Sequence, residues 1–269
     1  DRIMGRDMPH TTGKAENKFG VPFAEAHALY RLAHELPGIE ASGVHMHIGS
    51  QITELDPFRN AFALLNELVR TLRASGFAID FVNLGGGRGV PYRSDQPAPP
   101  LPADYARLVH EAVGDLGVRL LFEPGRMIAG TAGILVSRVL YVKRGASKTF
   151  TIVDAAMNDL MRPTLYEAYH EILPVAEPAP GTPVAITDVV GPVCETGDYL
   201  ALARALPELH AGDLISVMTA GAYGAALASE YNSRPLVPEV LVNGSQYCVT
   251  RARPTYDDMA REQVNSAKV

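Results

Sequence analysis

The chain has little cysteine, no long apolar run, few lysines and no excess of basic residues. Its 269 residues include only two cysteines, Cys194 and Cys248. That excludes a disulfide framework and fits a reducing cytoplasm. No apolar stretch approaches the roughly 20 residues that a membrane-spanning helix needs. Residues 1–10 contain no apolar signal core. The formal net charge is −6, and no basic stripe is concentrated anywhere, which argues against a nucleic-acid binder. An initiator Met is also lacking, so the chain is expected to be a fragment or a processed product. Apolar and charged content are those of an ordinary soluble globular protein, long enough for one large domain or two modest ones.

Residues 1–20 read as a loop. Residues 22–36 carry Phe23, Ala26, Leu29, Tyr30, Ala33 and Leu36 at helical spacing. A short strand over 44–48 follows. Asp56 and Pro57 then open a helix with Phe58, Phe62, Leu65, Leu68, Val69 and Leu72 as its apolar stripe, ended by Gly76. A second strand, 81–84, runs into Gly85-Gly86-Gly87, and a helix over 103–113 precedes a third strand, 118–122. The three strands start 37 residues apart, at Val44, Phe81 and Val118. A strand, a loop and a helix in each interval predict successive βα units of a parallel sheet, with the strand-end loops on one face.

After Gly130 the pattern changes. Runs at 134–142, 150–153, 184–190, 214–218, 240–242 and 247–249 look like strands without a helix between each pair. They predict a second, mainly antiparallel β domain, with helical candidates at 164–172 and 199–206. The expected division is residues 1–133 and 134–269.

Several residues at these strand ends could do chemistry. Gly85-Gly86-Gly87 could bring backbone N–H groups around a phosphate, or simply make a tight turn. The spacing does not fit a dinucleotide fingerprint. His45 and His47 alternate on a strand and point the same way. They could bind metal, face a flat cofactor ring or sit in the core. Ser50 could add a hydroxyl to the anion site. Glu123 and Arg126 flank Pro124-Gly125 and could pair with each other. Alternatively, Glu123 could hold a ring nitrogen protonated while Arg126 binds an oxyanion. Cys194-Glu195 could be a proton donor beside a polar clamp, or a buried thiol beside a solvated acid. Arg162 and Tyr166, four apart, could share a helix face and bind a carboxylate. Tyr223, among small residues, could stand close to a ligand or fill a gap.

In order along the chain, six segments resemble one family. They are His47-Ile48-Gly49-Ser50-Gln51, Gly85-Gly86-Gly87, Glu123-Pro124-Gly125-Arg126, the run from Asp154 to Pro163, Gly191-Pro192-Val193-Cys194-Glu195, and Gly221-Ala222-Tyr223-Gly224. The family is the pyridoxal 5'-phosphate (PLP)-dependent decarboxylases of the alanine-racemase-like barrel fold. The closest likeness is to the branch acting on meso-2,6-diaminopimelate. The resemblance implies an α/β fold: the carboxyl-terminal part of a (β/α)8 barrel, then the β domain. It implies that His47 stacks on the cofactor ring and that Glu123 pairs with the ring nitrogen. Ser50, Gly85, Gly86, Gly87, Gly125 and Arg126 would surround the phosphate, with Tyr223 nearby. Arg126, Arg162, Tyr166, Glu195 and Tyr223 would bind substrate, and Cys194 would return a proton. A cytoplasmic homodimer with shared sites is implied as well, with no nucleic acid, membrane or metal involved.

The family needs a lysine that carries the cofactor. The lysines here are Lys14, Lys18, Lys143, Lys148 and Lys268, and none has the family's context for that residue. Three βα units also fall short of the eight that close a barrel. The expectation is therefore the carboxyl-terminal part of a longer enzyme, inactive by itself. A decarboxylase of the ornithine or arginine type is one alternative, and a non-catalytic homologue that binds a partner enzyme is another. Glu195 and the Met161-Arg162-Pro163 segment favour a substrate with a zwitterionic far end.

Overall fold

A computed structural model describes residues 20–265. The loop expected over 1–20, except its last residue, lies outside the described residues, as do Lys14, Lys18 and Lys268. The chain divides into two compact units between Gly130 and Thr131.

Unit 1 contains α1 (Ala26–Glu35), β1 (Gly43–His45), α2 (Asp56–Ala74), β2 (Phe81–Asn83), α3 (Pro102–Val113), β3 (Arg119–Leu121) and the short α4 (Gly125–Ala129). The three strands form a parallel sheet in the order β1-β2-β3. The register aligns His45 with Asn83 and Asn83 with Leu121. The sheet is held by its apolar layer. Val44, Val82 and Leu84 pack on Phe58, Phe62, Leu65, Val69 and Leu72 of α2 and on Leu108, Val109 and Val113 of α3. Phe62, Val69, Leu72 and Val82 have no exposed surface. Burying each such side chain contributes about 1.5–3 kcal/mol, so α2 is the helix the sheet depends on most. Asp56, expected as the N-cap ahead of Pro57, is itself the first helical residue.

Helix α1 forms where the periodicity predicts, but only Ala26 of its apolar face is buried, and Phe23, Leu29 and Leu36 are exposed. It is fixed instead by Tyr30, whose hydroxyl donates to the Gly43 carbonyl, and by the contacts of His27, Tyr30 and His34 with Phe77.

Unit 2 carries β4 (Leu135–Arg144), β5 (Thr149–Val153), α5 (Arg162–Tyr166), β6 (Ile172–Pro174), β7 (Val184–Val190), β8 (Tyr199–Pro207), β9 (Leu214–Val217), β10 (Glu239–Asn243), β11 (Gln246–Arg251) and α6 (Tyr256–Asn265). Six strands make one sheet in the order β6-β9-β4-β5-β7-β8, and β10-β11 is a separate hairpin. Only β5 and β7 pair in parallel; the other neighbours are antiparallel.

Two helical expectations fail here. Residues 199–206 form the strand β8, although Leu, Ala and Arg favour helix. Pairing along β7 outweighs that preference, with Val184 opposite Pro207 and Val190 opposite Tyr199. The strand absorbs a register shift at Ala203, whose φ is +47° and whose N–H is held by Asp188 Oδ1 at 2.6 Å. The candidate at 164–172 is displaced as well. The helix spans Arg162–Tyr166 and stops at Glu167, in the left-handed region at φ +51°. Ile172 starts β6, which pairs with β9. Strand β6 and helix α6 were not anticipated. Among the described residues, no helix is long and apolar enough to cross a membrane.

Candidate active site

In unit 1 the carboxyl ends of β1, β2 and β3 converge through their backbones. The Met46 N–H donates to the Asn83 carbonyl at 3.0 Å and the Leu84 N–H to Leu121 O at 3.0 Å. One step further on, the Glu123 N–H donates to Gly85 O at 2.8 Å and the Ile52 N–H to Gly87 O at 2.9 Å. The glycines follow from this closeness. A Cβ on Gly85 would stand 2.4 Å from Met46 O, one on Gly86 2.1 Å from Glu123 O, and one on Gly87 2.4 Å from Gly49 O. Gly85 and Gly87 also adopt φ of +66° and +102°, where other residues are strained. The triple glycine is therefore already required by the approach of three loops, whatever it binds. Gly125 differs: nothing lies within 4 Å of a Cβ there.

The two charges of the Glu123–Arg126 turn go to different partners. The Asn83 amide donates to Glu123 Oε1 at 2.8 Å, and His45 Nε2 lies 3.5 Å from the same oxygen. The Asn83 side-chain oxygen, Oδ1, in turn accepts the Gly85 N–H at 2.9 Å. Arg126 donates to Ser50 Oγ at 3.2 Å and to the Tyr92 hydroxyl, with its guanidinium 5.6 Å from the Tyr92 ring centre. His47 is half-buried. Burial lowers its pKa, outweighing the attraction of Glu123, and the nearby His45 lowers it further. Its Nδ1 accepts a long hydrogen bond, 3.4 Å, from the Gly86 N–H, which leaves the proton of a neutral ring on Nε2. Among the described residues, no group of three or more His, Cys, Asp or Glu side chains could hold a metal ion.

Unit 1 thus offers a carboxylate held for a donor, a cation beside a hydroxyl, and a flat neutral imidazole. A protonated ring nitrogen suits the first, a phosphate the second and an aromatic ring the third, so this donor set fits pyridoxal phosphate. Asn83 and Tyr92 were missed from sequence. For Asn83 a signal existed: an amide between the buried Val82 and Leu84, in the register row of His45.

In unit 2, hydrogen bonds link the turn that bears Cys194 and Glu195 to the segment that leads into Arg162. The Asp198 carboxylate, 3% exposed, accepts the Met157 N–H at 2.7 Å on one oxygen and the Val193 N–H at 2.7 Å on the other. Burial raises its pKa, with the two amides opposing. The turn carrying Cys194 and Glu195 is thereby tied to the 155–161 loop that leads into α5. A second tie runs from the Thr164 hydroxyl on α5 to the Gly197 carbonyl. Glu195 Oε1 accepts the Gly197 N–H at 3.1 Å. Cys194 and Glu195 are exposed, so the thiol is not a core residue. Arg162 is buried and reaches His170, Nη1 to Nε2 at 2.8 Å, while Tyr166 is half-buried at the end of the same helix.

The run from Asp154 to Pro163 is fixed by further polar contacts. Asp154 accepts from Ser137 Oγ at 2.7 Å, and Arg234 Nε donates to Asn158 Oδ1 at 3.0 Å. Tyr223 sits at φ +58° in a loop whose Gly224 cannot carry a Cβ, which would be 2.3 Å from Ala220 O. Asp198, Asn158, His170 and Arg234 do not stand out individually in the sequence, because nothing local marks a buried tether.

The family model "Pyridoxal-dependent decarboxylase, C-terminal sheet domain" matches residues 27–221. The chain belongs to the pyridoxal-dependent decarboxylase family. Among relatives in this family, diaminopimelate decarboxylase of Zymomonas mobilis is 45% identical over 260 residues, 95% of this chain and 61% of that protein. Diaminopimelate decarboxylase of Pseudomonas aeruginosa is 47% identical over 93% of this chain and 59% of that one. The crystal structure of diaminopimelate decarboxylase from Helicobacter pylori complexed with L-lysine superposes with a TM-score of 0.88 at 37% identity, covering 97% of this chain and 64% of that one. The chain thus spans about three fifths of the length of the curated relatives it matches.

Proposed function

We propose that the chain is part of a decarboxylase that uses pyridoxal phosphate to convert meso-2,6-diaminopimelate to L-lysine and carbon dioxide. The observation that carries the reading is the separation of the two charges at the end of β3. The Glu123 carboxylate is held by Asn83, and the Arg126 guanidinium by Ser50 and Tyr92. Such an arrangement suits a cofactor with a protonated ring nitrogen at one side and a phosphate at the other. Unit 1 is the carboxyl-terminal part of a (β/α)8 barrel in this reading, and unit 2 is the sheet domain.

When bound, pyridoxal phosphate supplies the sink for the electron pair left as carbon dioxide departs. Glu123 accepts the ring N–H and keeps it protonated. His47, neutral at physiological pH because burial lowers its pKa, covers the ring face. Ser50, Arg126, Gly125 and the Gly85–Gly87 backbone would hold the phosphate, and Tyr223 is assigned to the cofactor by the family resemblance. At the far end of the substrate, Arg162 with Tyr166 takes the carboxylate bidentately and Glu195 takes the ammonium. Arg126 and Tyr223 also bind substrate. Cys194 returns the proton. The protein acts as a cytoplasmic homodimer in which Cys194 and Glu195 serve the neighbouring subunit's site.

No lysine in the described residues suits the carrier role. Lys143 lies on β4, and the Lys148 ammonium pairs with Asp188 at 2.8 Å. The 269 residues alone are therefore proposed to be inactive. The test is made on the enzyme at the length of its relatives, loaded with pyridoxal phosphate. Lysine and carbon dioxide should form from meso-diaminopimelate and little product from L-ornithine. Preference for ornithine would overturn the substrate, and turnover of neither would overturn the reading.

A further inference from the structure

A strained segment of unit 2, residues 219–234, has no part in the proposed chemistry beyond Tyr223. Thr219, Tyr223, Asn232 and Ser233 adopt φ of +56°, +58°, +61° and +55°. None is glycine, and side chains enter this left-handed region at a cost, so surrounding contacts must hold the segment there. Those contacts meet at Asn158, which has no exposed surface. The Ser229 N–H donates to the Asn158 carbonyl at 2.9 Å, and the Asn158 amide donates back to the Ser229 carbonyl at 3.1 Å. Arg234 closes the clamp. Its Nε donates to Asn158 Oδ1 at 3.0 Å and its Nη2 to the Asp154 carbonyl at 2.6 Å, with Asp159 Oδ2 3.6 Å from Nη2. A guanidinium only donates, so Oδ1 of Asn158 faces Arg234 and its amide nitrogen is turned to Ser229 and to Asp159 Oδ1, 3.0 Å away. The Asp159 side chain is buried. Burial raises its pKa, and the Ala156 N–H and the Arg234 charge oppose the rise. Toward the start of the segment, the Tyr223-Gly224 turn lies against Leu160, whose Cδ1 would be 3.7 Å from a Cβ on Gly224. Leu160 is two residues ahead of Arg162.

We propose that Arg234 is a positioning residue: it seats the 219–234 segment on the 154–161 loop, and so holds Tyr223 in a fixed place beside the approach to α5. This rests on the reading of Tyr223 as a substrate-binding residue. Arginine suits the task because one planar group reaches a backbone carbonyl, a side-chain amide oxygen and a buried carboxylate from fixed directions. Lysine would bring the charge but only one nitrogen, which cannot serve Asn158 and Asp154 in the same paired way.

The test is a double-mutant cycle on the complete enzyme loaded with pyridoxal phosphate, read by calorimetric titration with L-lysine. Tyr223→Phe alone should lower L-lysine affinity. Arg234→Lys keeps a cation beside Asp159 but gives up the paired donors. It should lower the affinity about tenfold, and amide exchange at Ser229 should accelerate by a similar factor. On the Tyr223→Phe background, Arg234→Lys should cost about twofold or less, because the side chain it positions is already altered. Arg234→Gln, which keeps donors without the charge, should repeat the pattern and serves if the lysine variant does not fold. An equal loss on both backgrounds would show a merely structural role and overturns the inference. So does faster exchange at Ser229 with L-lysine affinity intact, or no change in either. If Tyr223→Phe alone leaves L-lysine binding unchanged, the reading of Tyr223 has failed instead, and this proposal falls with it.

Discussion

Gly86→Ala is the sharpest test of how unit 1 is built. The new Cβ would sit 2.1 Å from the Glu123 carbonyl oxygen, and both sides of the clash are backbone. A carbon in contact with a carbonyl oxygen normally stands about 3.3 Å away or more, so the end of β3 must retreat by about 1 Å. It cannot do so freely. The Glu123 N–H is bonded to Gly85 O at 2.8 Å and the Glu123 side chain to Asn83 at 2.8 Å. Overpacking of this kind costs about 1–3 kcal/mol, and losing the Glu123–Gly85 bond adds about 1 kcal/mol. The total, about 2–4 kcal/mol, falls on one sheet edge, so the readout is local. Amide hydrogen exchange at Leu84 and Glu123 should accelerate about thirtyfold to a thousandfold.

Gly125→Ala is the matched control. Its Cβ enters open space at the first position of α4, where alanine is neutral or stabilises by about 0.4–1 kcal/mol. Exchange at Leu84 and Glu123 should not change, and any loss of pyridoxal phosphate affinity would then belong to the ligand. Unaltered exchange in Gly86→Ala would refute the claim that the triple glycine is demanded by the fold itself.

Three further outcomes can be measured. Glu123→Gln should lower kcat by about a hundredfold or more while pyridoxal phosphate still binds, the scale of removing one preorganised electrostatic partner; a loss of only a few-fold would dismiss the ring-nitrogen role. Asp198→Ala removes two charge-assisted bonds worth about 1.5–3 kcal/mol each, partly offset by relief of burying the carboxylate. Exchange at Met157 and Val193 should rise, and the alkylation rate of Cys194 should change with it; protection unchanged at both amides would show that the tether does not hold the turn. His47 titrates lower in the folded protein than in the unfolded chain, so its contribution to stability is full above about pH 6.5 and is lost as pH falls toward its folded pKa. Melting curves of His47→Phe should show less acid sensitivity between about pH 7 and 5 than wild type, and identical slopes would contradict this.

Most elements of unit 1 were legible because each depends on local signals; α4 was not, and β1 ends at His45, so His47 lies past the strand on which it was expected. The α2 stripe, the helix-opening Asp56-Pro57 and the evenly spaced strands are all readable within a few residues. Residues 199–206 misled because their preference for helix is local, whereas the β7 pairing that overrides it is not. The apolar face of α1 shows a related limit, since periodicity reports which face is apolar but not what covers it. At the candidate site, Gly85–Gly87, Glu123 and Arg126 stood out by residue type at strand ends. Tyr92 did not, because a half-buried loop tyrosine carries no mark of the arginine it meets 34 residues later.

The two units hold their functional side chains by different physics, and this predicts different tolerance to change. In unit 1 backbones are in contact, so position is enforced by the absence of Cβ atoms, and almost any substitution at Gly85, Gly86 or Gly87 meets backbone. In unit 2 position is enforced by buried polar groups, Asp198 for the Cys194 turn and His170 for Arg162. There a replacement that preserves the hydrogen-bond pattern can be tolerated, whereas one that only preserves volume cannot, because it strands a buried donor. His170→Leu would remove the acceptor that Arg162 Nη1 meets at 2.8 Å, while His170→Gln would keep one near it. Substitutions matched in size should therefore separate the two units: shape decides in the first, and donor–acceptor pattern decides in the second.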